Sequence, residues 1–304
     1  MPIETRSIVS EVRQSRTLRA VSVATLASQI LIVLTGGLVR LTESGLGCTD
    51  WPHCTPDSFF PVPEHGIHGF IEYANRLLGA VVIGISIWML VLAIRKAKSA
   101  GGREILTLAA LVFFLSAAQG IIGAVVVWLE LRPDTVGIHF MLSVVLVALS
   151  TMLVWRVFRG PRGPKVATAP QFVLTHGATA LFAIVIVMGT LTTGAGPHAG
   201  DGGAVRNGLN PELLQHFHAW PSYALLLVTL ALLVVAVRKG PRIHLFSVLG
   251  LLAASLFQMV IGLIQANTGL PVPLVAAHMM GSVFAAAAMT ATVLSLRGKA
   301  EVSV

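Results

Sequence analysis

Hydrophobic positions in this chain gather into long, nearly unbroken runs, not the short alternations of a half-buried soluble helix or strand. Eight runs, at about 21–39, 71–94, 105–129, 136–157, 172–191, 213–237, 243–266 and 273–296, each reach the roughly 20 apolar residues that a helix needs to cross a hydrocarbon core. The pattern predicts an all-α membrane protein with eight transmembrane helices. Two polar stretches rich in Gly and Pro, 40–70 and 192–212, predict long loops built from turns, and the other connections are short.

Polar residues enter the runs at recurring places. Gln119, Gly123, His139 and Ser143 are matched in identity and spacing by Gln258, Gly262, His278 and Ser282. The register is looser in the preceding helices, where Glu72 and Asn75 align with Gln215 and His218. Repeating four helices against four keeps both copies in the same orientation across the membrane. The expected architecture is therefore two parallel-repeated four-helix bundles about a pseudo-two-fold axis along the membrane normal. The N-terminal half covers 1–165 and the C-terminal half 166–304.

Composition agrees, with 55% hydrophobic and 11% charged residues. A net charge of +8 raises the question of a nucleic-acid partner, which the placement of the charge answers. Arg6, Arg13, Arg16 and Arg19 precede the first run. Arg95, Lys96, Lys98 and Arg103 follow the second, Arg156, Arg159, Arg162 and Lys165 the fourth, Arg238, Lys239 and Arg242 the sixth, and Arg297 and Lys299 the eighth. Basic residues collected on alternate connections place those connections and both termini in the cytoplasm of a multi-pass cell-membrane protein. No nucleic-acid surface is needed. The first run is long enough to span and reads as a retained anchor with no cleavable signal peptide. The two cysteines, Cys48 and Cys54, share the first outer loop, where a disulfide is the expected state and two free thiols the alternative.

Eight of the ten histidines fall toward the outer face: His53, His65, His68, His139, His198, His216, His218 and His278. An imidazole inside hydrocarbon is costly unless paired or metal-bound, and two on facing helices can clamp a haem iron. His218 and His278 are the best candidate pair, against the alternative of interfacial histidines bonded to water or backbone. In the first half the matching residues are Asn75 and His139, which leaves one clear imidazole, with His65 or His68 as alternatives to fill the gap. Glu72 is either a functional acid or an ion-pair partner of Arg76 one turn on. Arg40 could meet a haem propionate or lipid phosphate, or reach the interface.

These residues carry a resemblance. Gly36 through Thr42, Ser44 through Cys48, and Asp50-Trp51-Pro52-His53-Cys54 resemble the first outer loop of the haem A synthase family. Ile71-Glu72-Tyr73-Ala74-Asn75-Arg76, His139, Gln215-His216-Phe217-His218 and Ala277-His278 are similar to its other motifs. The resemblance implies an enzyme that oxidises a methyl group of haem O to the formyl group of haem A for terminal oxidases. It implies His218 and His278 as ligands of a resident haem b, His139 as the iron ligand of the substrate site, and Glu72 as the implicated acid. It also implies a Cys48–Cys54 disulfide and places Asn75, Arg76 and Arg40 about the cofactors. Expected partners are haem O synthase, a quinol- or ferredoxin-type electron donor, the lipid membrane and a second copy in a homo-oligomer. Two departures stand out: Asn75 replaces the histidine common at that position, and the second outer loop has no cysteine pair. The run Gly196 through Asp201 resembles actinobacterial members, in which asparagine at the Asn75 position is a lineage variant. The rival readings are a non-enzymatic b-type cytochrome, which requires a second ligand where Asn75 stands, and a repeat-built transporter, which requires no haem.

Overall fold

The computed structural model describes residues 3–99 and 101–299, with side chains from residue 16 onward; Arg6 and Arg13 lie outside the described side chains. Eight long helices follow in order: α1 (Ile3–Leu41), α2 (Gly66–Lys96), α3 (Gly102–Trp128), α4 (Pro133–Arg159), α5 (Ala169–Ala195), α6 (Pro211–Arg238), α7 (Arg242–Asn267) and α8 (Val272–Leu294). All eight contain a stretch long and apolar enough to cross a membrane. Their starts obey local chemistry. Helices α4, α5, α6 and α8 carry proline within their first two positions, where the missing N–H costs nothing. Asn210 caps α6 by accepting from the Leu213 N–H at 3.0 Å, and Thr168 with Gln171 forms a capping box on α5.

Helix starts fall a few residues earlier than the hydrophobic runs suggest, because polar and proline-bearing first turns are helical without being apolar. His139 and His278 therefore sit inside α4 and α8, not at their tips. Pro133 and Val272 begin those helices, so each histidine lies six residues in, about 9 Å along the axis at 1.5 Å per residue. His218 and Asn75 lie at comparable depth in α6 and α2.

Within each run of four, consecutive helices pack together, and α1 also packs on α4. Across the middle, α4 packs on α8 and α5, and α1 on α8. One apolar core, including Leu18, Met89, Leu108 and Leu153, joins α1 to α4. A second, with Val33, Val144, Val147, Val283 and Ala286, binds α1, α4 and α8; a third, with Ala178, Leu225, Leu251 and Met289, lies among α5 to α8. Small residues let the helices approach: Gly37 of α1 leaves the space that the end of the Met279 side chain of α8 fills. Large apolar side chains such as Phe114, Val173 and Leu227 point outward with about two-thirds of their surface exposed, as lipid contact requires.

A short ribbon was not anticipated. Strand β1 (Arg162–Lys165), in the connection after α4, pairs antiparallel with β2 (Arg297–Lys299), after α8. Its residues, Arg-Gly-Pro-Lys and Arg-Gly-Lys, lack any strand signature, so only their meeting in space creates the element.

Candidate haem-binding site

In the C-terminal half the imidazoles of His218 and His278 face one another, with ring centroids 6.0 Å apart and planes at 81°. Two imidazoles sharing one metal atom, each nitrogen about 2 Å from it, have centroids about 6 Å apart. The separation is compatible with a ligand pair, and it is too long for a direct hydrogen bond between the ring nitrogens. Backbone fixes one ring: His218 Nδ1 lies 3.0 Å from the Val185 carbonyl of α5, so Nδ1 carries the proton and Nε2 keeps its lone pair. Glycines make room for both. A Cβ on Gly189 would come within 2.8 Å of His218 Cε1, and one on Gly262 within 3.1 Å of His278 Cε1.

The N-terminal half repeats part of this arrangement. His139 packs across Gly123, where an added Cβ would stand at an ordinary 3.7 Å. Gln119 Nε2 donates to the His139 carbonyl at 2.9 Å and to Ser143 Oγ at 2.6 Å, whereas in the second half Ser282 Oγ donates to the Met279 carbonyl at 2.7 Å. Asn75 approaches Gly36 of α1 as His218 approaches Gly189 of α5, and its Oδ1 accepts from Thr35 Oγ1 at 2.8 Å. Among the described residues no hydrogen bond or ring contact joins His139 to Asn75, Glu72, His65 or His68. Four buried atoms lack any partner at matching places: Nδ1 of His139 and His278, and Oε1 of Gln119 and Gln258. Buried polar atoms left unpaired cost about 1–3 kcal/mol each. They recur at the same positions in both halves.

Other sequence candidates are engaged in shaping the loops. Cys48 and Cys54 form a disulfide, and both are fully buried. Glu72, 5% exposed, accepts the Cys48 N–H at 2.7 Å through one oxygen and the Arg76 guanidinium at 2.6 and 3.1 Å through the other. Arg76 Nη1 in turn donates to the carbonyls of Asp50 and His53 at 2.8 and 2.9 Å. The Glu-x-x-x-Arg turn is thus both the ion pair weighed from sequence and a clamp on the disulfide loop. Trp51 packs edge-on against Trp128 at 6.3 Å, pinning that loop to the end of α3. Arg40 spans the halves, with Nε and Nη2 donating to the carbonyls of His198 at 2.6 Å and Thr193 at 3.1 Å. His65 Nδ1 lies 3.8 Å from Cys54 Sγ and His68 Nδ1 2.9 Å from Ser44 Oγ. Both line an open cup of about 310 Å³ with Glu43 and Asp201.

The sequence does not single out Val185, Gly189 or Thr35, and it marks Gly36 only as part of a family motif. A carbonyl leaves no mark in a sequence, and the first helix of each half carries no matched motif.

A family profile described as cytochrome oxidase assembly protein, COX15-CtaA, matches residues 19–292, nearly the whole bundle. The chain belongs to this family. Among curated proteins it is similar to the heme A synthase of Rhizorhabdus wittichii, 28% identical over 85% of this chain and 88% of that one. It is also similar to the heme A synthases of Lysinibacillus sphaericus, 36% identical over 48% of each chain, and Halalkalibacterium halodurans, 30% identical over 47% of each. The family match takes in every residue of the two sites.

Proposed function

We propose that this membrane enzyme oxidises the methyl group of haem O to the formyl group of haem A. In this reading His218 and His278 would hold a resident haem b in the C-terminal half, and His139 would receive haem O in the N-terminal half. The observation that carries it is the His218–His278 pair at 6.0 Å, with Val185 fixing the proton on one ring. The names of the relatives support the reaction. When bound, the haem irons supply the electron transfer and the oxidising chemistry. The chain's own part is ligation, orientation and exclusion of water.

Glu72 acts in this scheme as a positioning residue, since the bonds found for its two oxygens run to Cys48 and Arg76. It orders the loop over the helix ends that flank the substrate site. The basic connections would face the cytoplasm, and the disulfide loop the outside. A pseudo-two-fold arrangement of residues 1–165 and 166–304 is supported by the helix neighbours, because exchanging the halves turns the α1–α8 contact into α5–α4 and returns α4–α8 to itself.

The test is purified protein with haem O, reductant and oxygen, followed by pigment analysis. Wild type is expected to form haem A; His278→Ala is expected to lose the resident haem b spectrum. His139→Ala is expected to keep most of that spectrum while forming no product. Equal haem loss in both variants would contradict the assignment of one haem to each half, and no turnover by haem-loaded wild type would end the enzyme reading.

A further inference from the structure

The first-half site is not a weakened copy of the second, because Asn75 carries its own support. Thr35 Oγ1 stands 2.8 Å from Asn75 Oδ1, but 3.2 Å from the Leu31 carbonyl and 3.3 Å from that of Ile32. A hydroxyl has one proton to give, and the shortest contact takes it. With Oδ1 so engaged, the amide has only Nδ2, with its two N–H groups, left to offer a ligand. Among the described residues Nδ2 donates to nothing. Gly36, on the same α1 turn as Thr35, leaves open the space beside Nδ2: an added Cβ would lie 3.9 Å from it.

The repeat identifies what stands at the matching place in the second half. His218, the counterpart of Asn75, faces His278 across 6.0 Å, and both Asn75 and His218 rest on a glycine of the first helix of their half. An amide nitrogen has no basic lone pair with which to bind a metal, so it cannot replace imidazole as a ligand. It can donate. We propose that Asn75, oriented by Thr35, is a fixed hydrogen-bond donor to a small polar ligand on the face opposite His139, which makes the substrate site one-sided by construction. This rests on the placement of a haem at His139 given above. It adds a specific role for Asn75 as a residue touching that ligand, with Thr35 positioning it. A donor inside an apolar bundle is worth more than one in water, because no solvent competes for the acceptor.

Carbon monoxide is a suitable probe, since a donor to its oxygen lowers the C–O stretching frequency. The experiment uses reduced, full-length, haem-loaded protein, with the resident haem b absorbance confirming a folded bundle in each variant. Wild type is expected to bind carbon monoxide at one haem, and His139→Ala is expected to abolish that complex. Asn75→Leu is expected to keep the complex with the band moved to higher frequency. Thr35→Val is expected to split or broaden the band, because the amide is free to turn over. Asn75→His is expected to close the open face and suppress carbon monoxide binding. An unshifted band in Asn75→Leu, or a shift to lower frequency, would overturn the donor role while leaving the haem at His139 in place. If wild type forms no complex, or His139→Ala leaves it unchanged, the site reading fails and this inference with it.

Discussion

At the scale of single residues, what separates the two sites is how closely backbone approaches the ring. An added methyl at Gly189 would sit 2.8 Å from His218 Cε1, a distance that real Cβ atoms do not tolerate, whereas at Gly123 it would sit 3.7 Å from His139. The neighbour at Gly189 is a ring already held by the Val185 carbonyl at 3.0 Å, so it cannot swing aside without losing that bond. Gly189→Ala is therefore expected to remove most of the resident haem b while Gly123→Ala retains it, measured as the haem-to-protein ratio of purified samples. Comparable retention in both variants would mean that His218 has room to move. His218 Nδ1 gives a second contrast: no substitution can delete the carbonyl of Val185, so this orientation is insulated from side-chain change at that position.

At the scale of elements, the two long loops are held by buried charge as well as by their turns. Glu72 and Arg76 share a helix turn and between them engage the Cys48 N–H and the carbonyls of Asp50 and His53. Removing one member of a largely buried ion pair strands the other and costs about 3 kcal/mol. Glu72→Ala is expected to release the loop and expose the buried disulfide, seen as reduction and alkylation of Cys48 and Cys54 at least several-fold faster than in wild type. An unchanged rate would show that the disulfide and the Trp51–Trp128 contact suffice. The second long loop depends on Arg40, and its His198 also reaches the Leu270 carbonyl at 2.9 Å. Arg40→Ala is expected to make residues 196–210 more susceptible to limited proteolysis, with mass spectrometry locating the cuts. The sequence singles out Glu72 as a functional acid or an ion-pair partner of Arg76, and Arg40 as a group that meets a propionate, a lipid phosphate or the interface. It could not show that they serve loops, because their acceptors are main-chain carbonyls and amides distant in the chain.

At the scale of the molecule, eight spans with basic connections at one end predict a single orientation. In cells, a cysteine introduced at Gly202 in a Cys48→Ser/Cys54→Ser background is expected to react with a membrane-impermeant thiol reagent, whereas one at Ser99 is expected to stay unlabelled until the membrane is opened. The reverse pattern would invert the topology. The β1–β2 ribbon joins the connection between halves to the segment after α8, and truncation before Arg297 is expected to lower thermal stability in detergent without altering the haem spectrum.

Several things follow from the sequence alone: the eight spans, the repeat of glutamine, glycine, histidine and serine, the pairing of His218 with His278, and the contrast of Asn75 with His139. They are legible because hydrocarbon imposes long apolar runs and makes each polar intrusion conspicuous. Tertiary structure alone decides what each intrusion touches: Val185 behind His218, Thr35 behind Asn75, loop backbone behind Glu72, Arg76 and Arg40. It also decides the ribbon between remote basic segments. The physical reason is common to all of these: their partners are backbone groups or residues on another helix, and only folding sets their distance and direction.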